Sequence, residues 1–216
     1  MTIAEALAAF SLAAGLLTLT PGLDTALVLR TAAVEGPRPA MAAGCGITLG
    51  VLLWGLIAAA GLGALLTVSE AGFRILQIAG AVYLVWLGAG MVRGALSGRA
   101  AASVAPAAAP AGQQAAARWF LRGLMTNLLN PKVGLFYVGF LPQFMPAGVS
   151  VVAFGVLLAA IHGAMGLLWF AALTGATRPL SRWLMRPAVG RGLDLVTGTV
   201  LIGFGLRLAF SRRWAG

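Results

Sequence analysis

Cysteine, histidine and lysine each occur once in this sequence, and only five residues are acidic. A lone cysteine, Cys45, excludes an internal disulfide and a CxxC redox pair, and with them a membrane thiol oxidoreductase. One histidine, one cysteine and two acids inside apolar runs are too few for an ordinary metal site, so no metal, no cofactor and no metal-exporting role are expected. Charged residues are 9% of the 216, where a soluble domain has about a quarter. No soluble catalytic domain is hidden in such a chain, and an enzyme is not expected.

What remains is apolar. Hydrophobic residues make up 60% of the chain, and the mean hydropathy is +0.95. A bilayer crossing needs roughly 20 apolar residues. Apolar runs separated by polar or Pro/Gly punctuation fall at about 5–30, 41–68, 72–94, 119–141, 149–174 and 191–210, each long enough to span. The N-terminal stretch has Glu5, no basic lead and no clean cleavage site before Pro21, so the first run is expected to stay as a span. The predicted fold is an all-α, polytopic membrane protein of six transmembrane helices. The net charge of +10 would suggest nucleic acid in a soluble protein. Here it points to cytoplasmic loops and anionic membrane lipid, and no nucleic-acid partner is expected.

Residues 97–117 are Ala, Pro, Gly and Gln with few charges, a composition with no packing face, and read as a cytoplasmic linker between two three-helix repeats, 1–96 and 118–216. Gly50-Val51-Leu52-Leu53 recurs as Gly155-Val156-Leu157-Leu158. Three spans per half would make the halves inverted in the membrane, as in many secondary transporters. Ten arginines fall on one side of the membrane, including Arg30, Arg38, Arg93, Arg118, Arg122 and Arg191; four, Arg74, Arg207, Arg212 and Arg213, fall on the other. Both termini are therefore expected outside, against the pull of the basic C-terminal tail.

Two stretches carry chemistry. Thr20-Pro21-Gly22-Leu23-Asp24 lies deep in the first span, where proline breaks the hydrogen-bond ladder, so a kink is expected and a second half-helix begins at Pro21 with Thr20 as its cap. Asp24 then sits in a first turn, favoured by the helix dipole but costing on the order of 3 kcal/mol in the membrane. Asn127-Leu128-Leu129-Asn130-Pro131-Lys132 repeats this grammar in the fourth span, with Asn130 as cap and Pro131 first. Lys132 opposes both the dipole and the bilayer, so helix formation does not explain it. If the halves are inverted, the N-termini of these half-helices converge near the midplane. Exposed amides and Lys132 would bind a carboxylate there, and Asp24 an ammonium group or a proton. The competing reading is an ion pair that only holds the halves together, although desolvation offsets much of such a pair's attraction.

These motifs carry a family resemblance. Pro21-Gly22-Leu23-Asp24, the run Gly80-Ala81-Val82-Tyr83-Leu84 with Trp86 and Gly88, and Asn130-Pro131-Lys132 followed by Phe140-Leu141-Pro142-Gln143-Phe144 resemble the LysE/RhtB family of bacterial amino-acid exporters over essentially the whole chain. Leu23 departs from the family's usual Pro-Gly-Pro and leaves the kink to Pro21 and Gly22. The resemblance implies a cytoplasmic (inner) membrane exporter of amino acids or derivatives driven by the proton gradient. Thr20, Pro21, Gly22, Asp24, Asn127, Asn130, Pro131 and Lys132 are the substrate-binding candidates, and Asp24 and His162 the proton-coupling ones. Since no second acid is placed to select a basic side chain, a neutral amino acid is preferred. A passive channel or a structural membrane protein is the alternative.

Other residues are assigned by position. His162 either relays protons or bonds a helix carbonyl, while Thr48, Gln77, Thr126 and Asn127 line a wet cavity or bond between helices. Asp194 is expected to pair with Arg191 at the start of the sixth span, Glu5 and Glu70 to be solvated, and Trp119 and Trp183 to anchor the interface. Gly46 with Gly50, and Gly90 with Gly94 and Gly98, have the spacing of close helix packing, within the subunit by preference or in a homodimer.

Overall fold

A computed structural model describes residues 1–68, 70–97, 116–175 and 186–210. Among them lie eight α-helices and no strand: α1 (Ile3–Leu19), α2 (Leu23–Val34), α3 (Pro37–Val68), α4 (Glu70–Leu96), α5 (Ala116–Leu128), α6 (Pro131–Phe140), α7 (Val151–Gly175) and α8 (Pro187–Phe210), with a 3-10 turn at Leu141–Phe144. Linker residues 98–115, Trp183 and Gly98 lie outside the described residues, as do the side chains of Gln77 and Glu70.

Among the described residues, four stretches are long and apolar enough to cross a membrane: Pro37–Gly63, Ile78–Leu96, Val151–Gly175 and Pro187–Leu206. The pair α1 and α2, bent by 49° at its break, passes the same test together and makes a fifth if it is one span. The chain is thus a multi-pass membrane protein. The fourth run, expected to be broken or kinked at Pro131, folds as two short helices, 13 residues in α5 and 10 in α6, the first carrying Arg118 and Arg122. Its break at Leu129 and Asn130 and its polar residues keep it below the length and hydropathy of a plain span.

Large apolar side chains such as Leu12, Ile57, Val82, Trp86 and Leu168 are exposed. On a soluble protein that surface would be a liability; here it faces lipid. Lipid also removes the hydrophobic drive between helices, so they associate through close backbone approach at small residues. Accordingly α3 packs on α5 and α7, α4 packs on α8, and α1 touches α7 and α8. Gly46 of α3 lies against the Phe120 carbonyl of α5, and Gly123 of α5 against the Ala43 carbonyl of α3. Gly88 and Gly198 join α4 to α8 in the same way. Gly46 and Gly50 are therefore spent on packing inside the subunit, whereas a Cβ on Gly90 would meet nothing within 4 Å.

Trp119, expected at the interface, is fully buried in a cluster with Leu27 and Val28 of α2, Ala43 of α3 and Phe170 of α7. The close α3–α5 crossing draws it inward, and the guanidinium of Arg122 covers its ring at 4.7 Å. Glu5 closes a capping box with Thr2, accepting the Thr2 N–H at 2.8 Å.

Candidate functional site

The chain breaks between α1 and α2 for two reasons. Pro21 has no N–H to continue the ladder, and it holds the preceding Thr20 in an extended conformation with ψ 116°. Thr20 therefore does not cap the second half-helix as its position suggests. Its amide bonds back to the Leu16 carbonyl at 3.0 Å, its hydroxyl donates to the same carbonyl at 2.7 Å, and that hydroxyl also meets Thr197 of α8. The cap of α2 is Gly22, so α2 starts at Leu23, two residues later than the sequence implies. A glycine cap supplies no side-chain acceptor, which leaves the first amides of α2 without a capping partner. Asp24 lies in this turn.

At the second break Asn130 caps α6, its Oδ1 accepting from the Lys132 amide at 3.1 Å, and Pro131 takes the first position. The two breaks come together. Lys132 Nζ reaches Gly22, where it would lie 3.9 Å from an added Cβ. Asn127, one turn before the second break, donates from Nδ2 to Asp24 Oδ2 at 2.8 Å across 103 residues of sequence.

These groups wall a small cavity of about 50 Å³, room for a few water molecules. Thr20, Gly22, Asp24, Asn127, Asn130, Lys132 and His162 all line it, joined by Thr18, Thr25 and Thr48. Of the residues singled out from the sequence, Pro21 and Pro131 are not on the wall; they set the breaks. Asp24 Oδ1 is buried with no hydrogen-bond partner, an arrangement that costs free energy unless a donor arrives. An ammonium group is a donor of matching charge.

His162 occupies the α7 side of the cavity. Its Nδ1 is hydrogen-bonded to the Tyr137 hydroxyl at 2.9 Å, and its ring stacks on Tyr137 and meets Phe10 and Phe136 edge-on. Of the two roles the sequence left open, the carbonyl bond is not the one seen at Nδ1, where the partner is a phenol. Thr48 also lines the cavity, but its hydroxyl donates to the Gly44 carbonyl at 3.0 Å and so serves its own helix.

Asp194, expected to pair with Arg191, is buried at 6% exposure, while Arg191 is exposed and donates from Nε to the Pro187 carbonyl. Gly50 is a residue of the site that was not legible in the sequence. A Cβ there would sit 2.6 Å from Asn127 Oδ1, so this glycine gives Asn127 the room from which it holds Asp24. Gly50→Ala is expected to displace Asn127 and to destabilise the protein by roughly 1.4 kcal/mol with the loss of one charged hydrogen bond. Melting in detergent checks this, and a wild-type melting temperature would show that Asn127 yields without moving Asp24.

The profile of the LysE type translocator family matches residues 16–212. A threonine efflux protein of Escherichia coli K12 is 32% identical over 90% of this chain and 92% of its own length. A leucine efflux protein of Klebsiella pneumoniae is 31% identical over 88% of each chain. A homoserine/homoserine lactone efflux protein of Salmonella typhimurium is 28% identical over 94% of this chain and 96% of its own. No solved structure matches the chain.

Proposed function

The chain belongs to the LysE type translocator family, and from that premise we propose that it is a proton-coupled secondary exporter of neutral amino acids or their derivatives in the bacterial inner membrane. The observation that carries this reading is that Asp24 and Lys132 line one cavity. A carboxylate and an ammonium lining one cavity match the two charges of an amino acid, with Asp24 taking the amino group and Lys132 the carboxylate. Amides at the broken helix ends add donors beside Lys132.

The neutral preference draws on the relatives, whose names give threonine, leucine and homoserine, and on the threonines, glycines and valines that complete the wall. A cavity of about 50 Å³ is too small for such cargo, so its walls must separate for loading. Alternating access would supply that motion through two inverted halves, 1–96 and 118–216, rocking about the breaks, with both termini outside and the linker in the cytoplasm. In support, α3 packs on α7 and α4 on α8, pairing the second span with the fifth and the third with the sixth, an arrangement compatible with a two-fold axis between the halves. Proton coupling is assigned to Asp24 and His162, both on the cavity wall.

Bacteria expressing the protein are expected to tolerate growth-inhibiting loads of threonine, leucine or homoserine that arrest cells without it, and to gain no protection against lysine. An uncoupler should collapse the associated efflux. Equal sensitivity with and without the protein across the panel would refute export of these compounds, and efflux indifferent to the uncoupler would indicate a channel.

A further inference from the structure

Phenyl rings stand behind one wall of the cavity. His162 lies on that wall, and its ring meets Phe10 of α1 edge-on at 6.5 Å and Phe136 of α6 at 5.8 Å. The rings continue from there. Phe10 meets Phe136 at 5.9 Å and Phe144 of the 3-10 turn edge-on at 5.5 Å, Phe136 stacks on Phe140 at 4.9 Å, and Phe140 and Phe144 both pack on Phe204 of α8. Phe10, Phe136, Phe140 and Phe144 are fully buried. Just past Phe144 the chain surfaces at Ala147 and Gly148, in the connection from the fourth span to the fifth. The cluster thus reaches from the cavity wall to the root of that connection.

Such a column passes no zwitterion. A phenyl ring offers no donor or acceptor that replaces water, so an ammonium and a carboxylate would cross it without hydrogen bonds, at a high desolvation cost. Only one of the five rings comes from the first half. That ring is Phe10; Phe136, Phe140, Phe144 and Phe204 all lie in 118–216. Aromatic pairs depend on centroid distance and ring angle, so a rotation of one half against the other that draws Phe10 out loses its contacts together. We infer that these five phenylalanines are the closed gate between the cavity and the outer face, and that withdrawal of Phe10 opens it. The inference rests on the alternating access proposed above, whose topology puts the start of α1 and the connection after Phe144 on that face. Its test needs no cargo.

Cys45 is the only cysteine, so its replacement by serine leaves a background into which one reporter thiol can be placed. Thr48→Cys puts that thiol on the cavity wall. Intact cells and inverted vesicles carrying the Cys45→Ser, Thr48→Cys protein are pulsed with a charged, membrane-impermeant methanethiosulfonate, and modification is read by mass on the purified chain. Phe10→Ala is expected to speed labelling of intact cells about tenfold, since losing two aromatic pairs shifts an equilibrium between open and closed states by about that factor. Phe144→Ala should speed it similarly, and Phe10→Leu, which keeps apolar bulk without the ring, about threefold; that variant carries the test if Phe10→Ala does not fold. Leu173→Ala, an equally buried cut in the other apolar cluster, should stay within about twofold of the parent. Labelling of intact cells unchanged by Phe10→Leu and Phe144→Ala overturns the gate and leaves the proposed export site standing. An equal rise with Leu173→Ala would show general loosening, and a rise confined to inverted vesicles would place the rings at the inner face; either also overturns it.

Discussion

Asp24→Asn is expected to abolish export while the protein still inserts and purifies as a single species. The exchange keeps the shape and the acceptor oxygen that meets Asn127 Nδ2, but removes the charge that an ammonium group requires. Losing one partner of a buried charged pair costs roughly 3–5 kcal/mol, equivalent to a fall of about two orders of magnitude or more in transport. Lys132→Met should fall as far, because it removes the cation expected to hold the carboxylate and fills the same space with an apolar chain. Everted vesicles carrying each variant at equal abundance, assayed for accumulation of radiolabelled threonine, leucine and homoserine, give the comparison. Rates near wild type in both variants would mean that the two charges serve only to join the helices.

The second large effect falls on folding. Gly46→Leu or Gly123→Leu is expected to prevent recovery of folded protein, because at each position the first added carbon already collides with a backbone carbonyl of the facing helix, Phe120 for Gly46 and Ala43 for Gly123. A flexible side chain could move aside; a helix backbone cannot without separating α3 from α5. The cost therefore exceeds the roughly 1–3 kcal/mol of ordinary overpacking, a large part of the 5–15 kcal/mol that typically holds a domain together. Gly90→Leu is the matched control, since that glycine faces open space. Size-exclusion profiles and melting temperatures in detergent should show loss of the folded peak for the first two and little change for the third. A folded Gly46→Leu protein would show that α3 and α5 separate at low cost.

Separation of those helices would also disturb the cavity, because α3 and α5 supply Thr48 and Asn127 to its wall. Packing and site are thus one construction. Gly46 admits the α5 backbone, and Gly50, one turn further along α3, admits the Asn127 side chain that reaches Asp24. A tight glycine seam carries the first break of the chain to the second.

By itself the sequence determined the solvent. Its hydropathy and scarcity of charge require a membrane, whatever the arrangement of helices, because transfer of apolar surface depends on composition before it depends on contacts. It also marked where the charges stand, since Pro21, Pro131 and the caps beside them act within a few residues of their own backbone. Local rules misplaced the start of α2 by two residues, because the Thr20 side chain has a closer acceptor in α1 and a partner in α8. They put Trp119 at the interface because the preference of tryptophan for the headgroup region holds only where no neighbouring helix covers it. Only tertiary structure decided that Asn127 holds Asp24, that Tyr137 holds His162, and that Thr20 meets Thr197. Each of these contacts joins residues on different helices, and no helical period or capping preference encodes which helix will lie beside which.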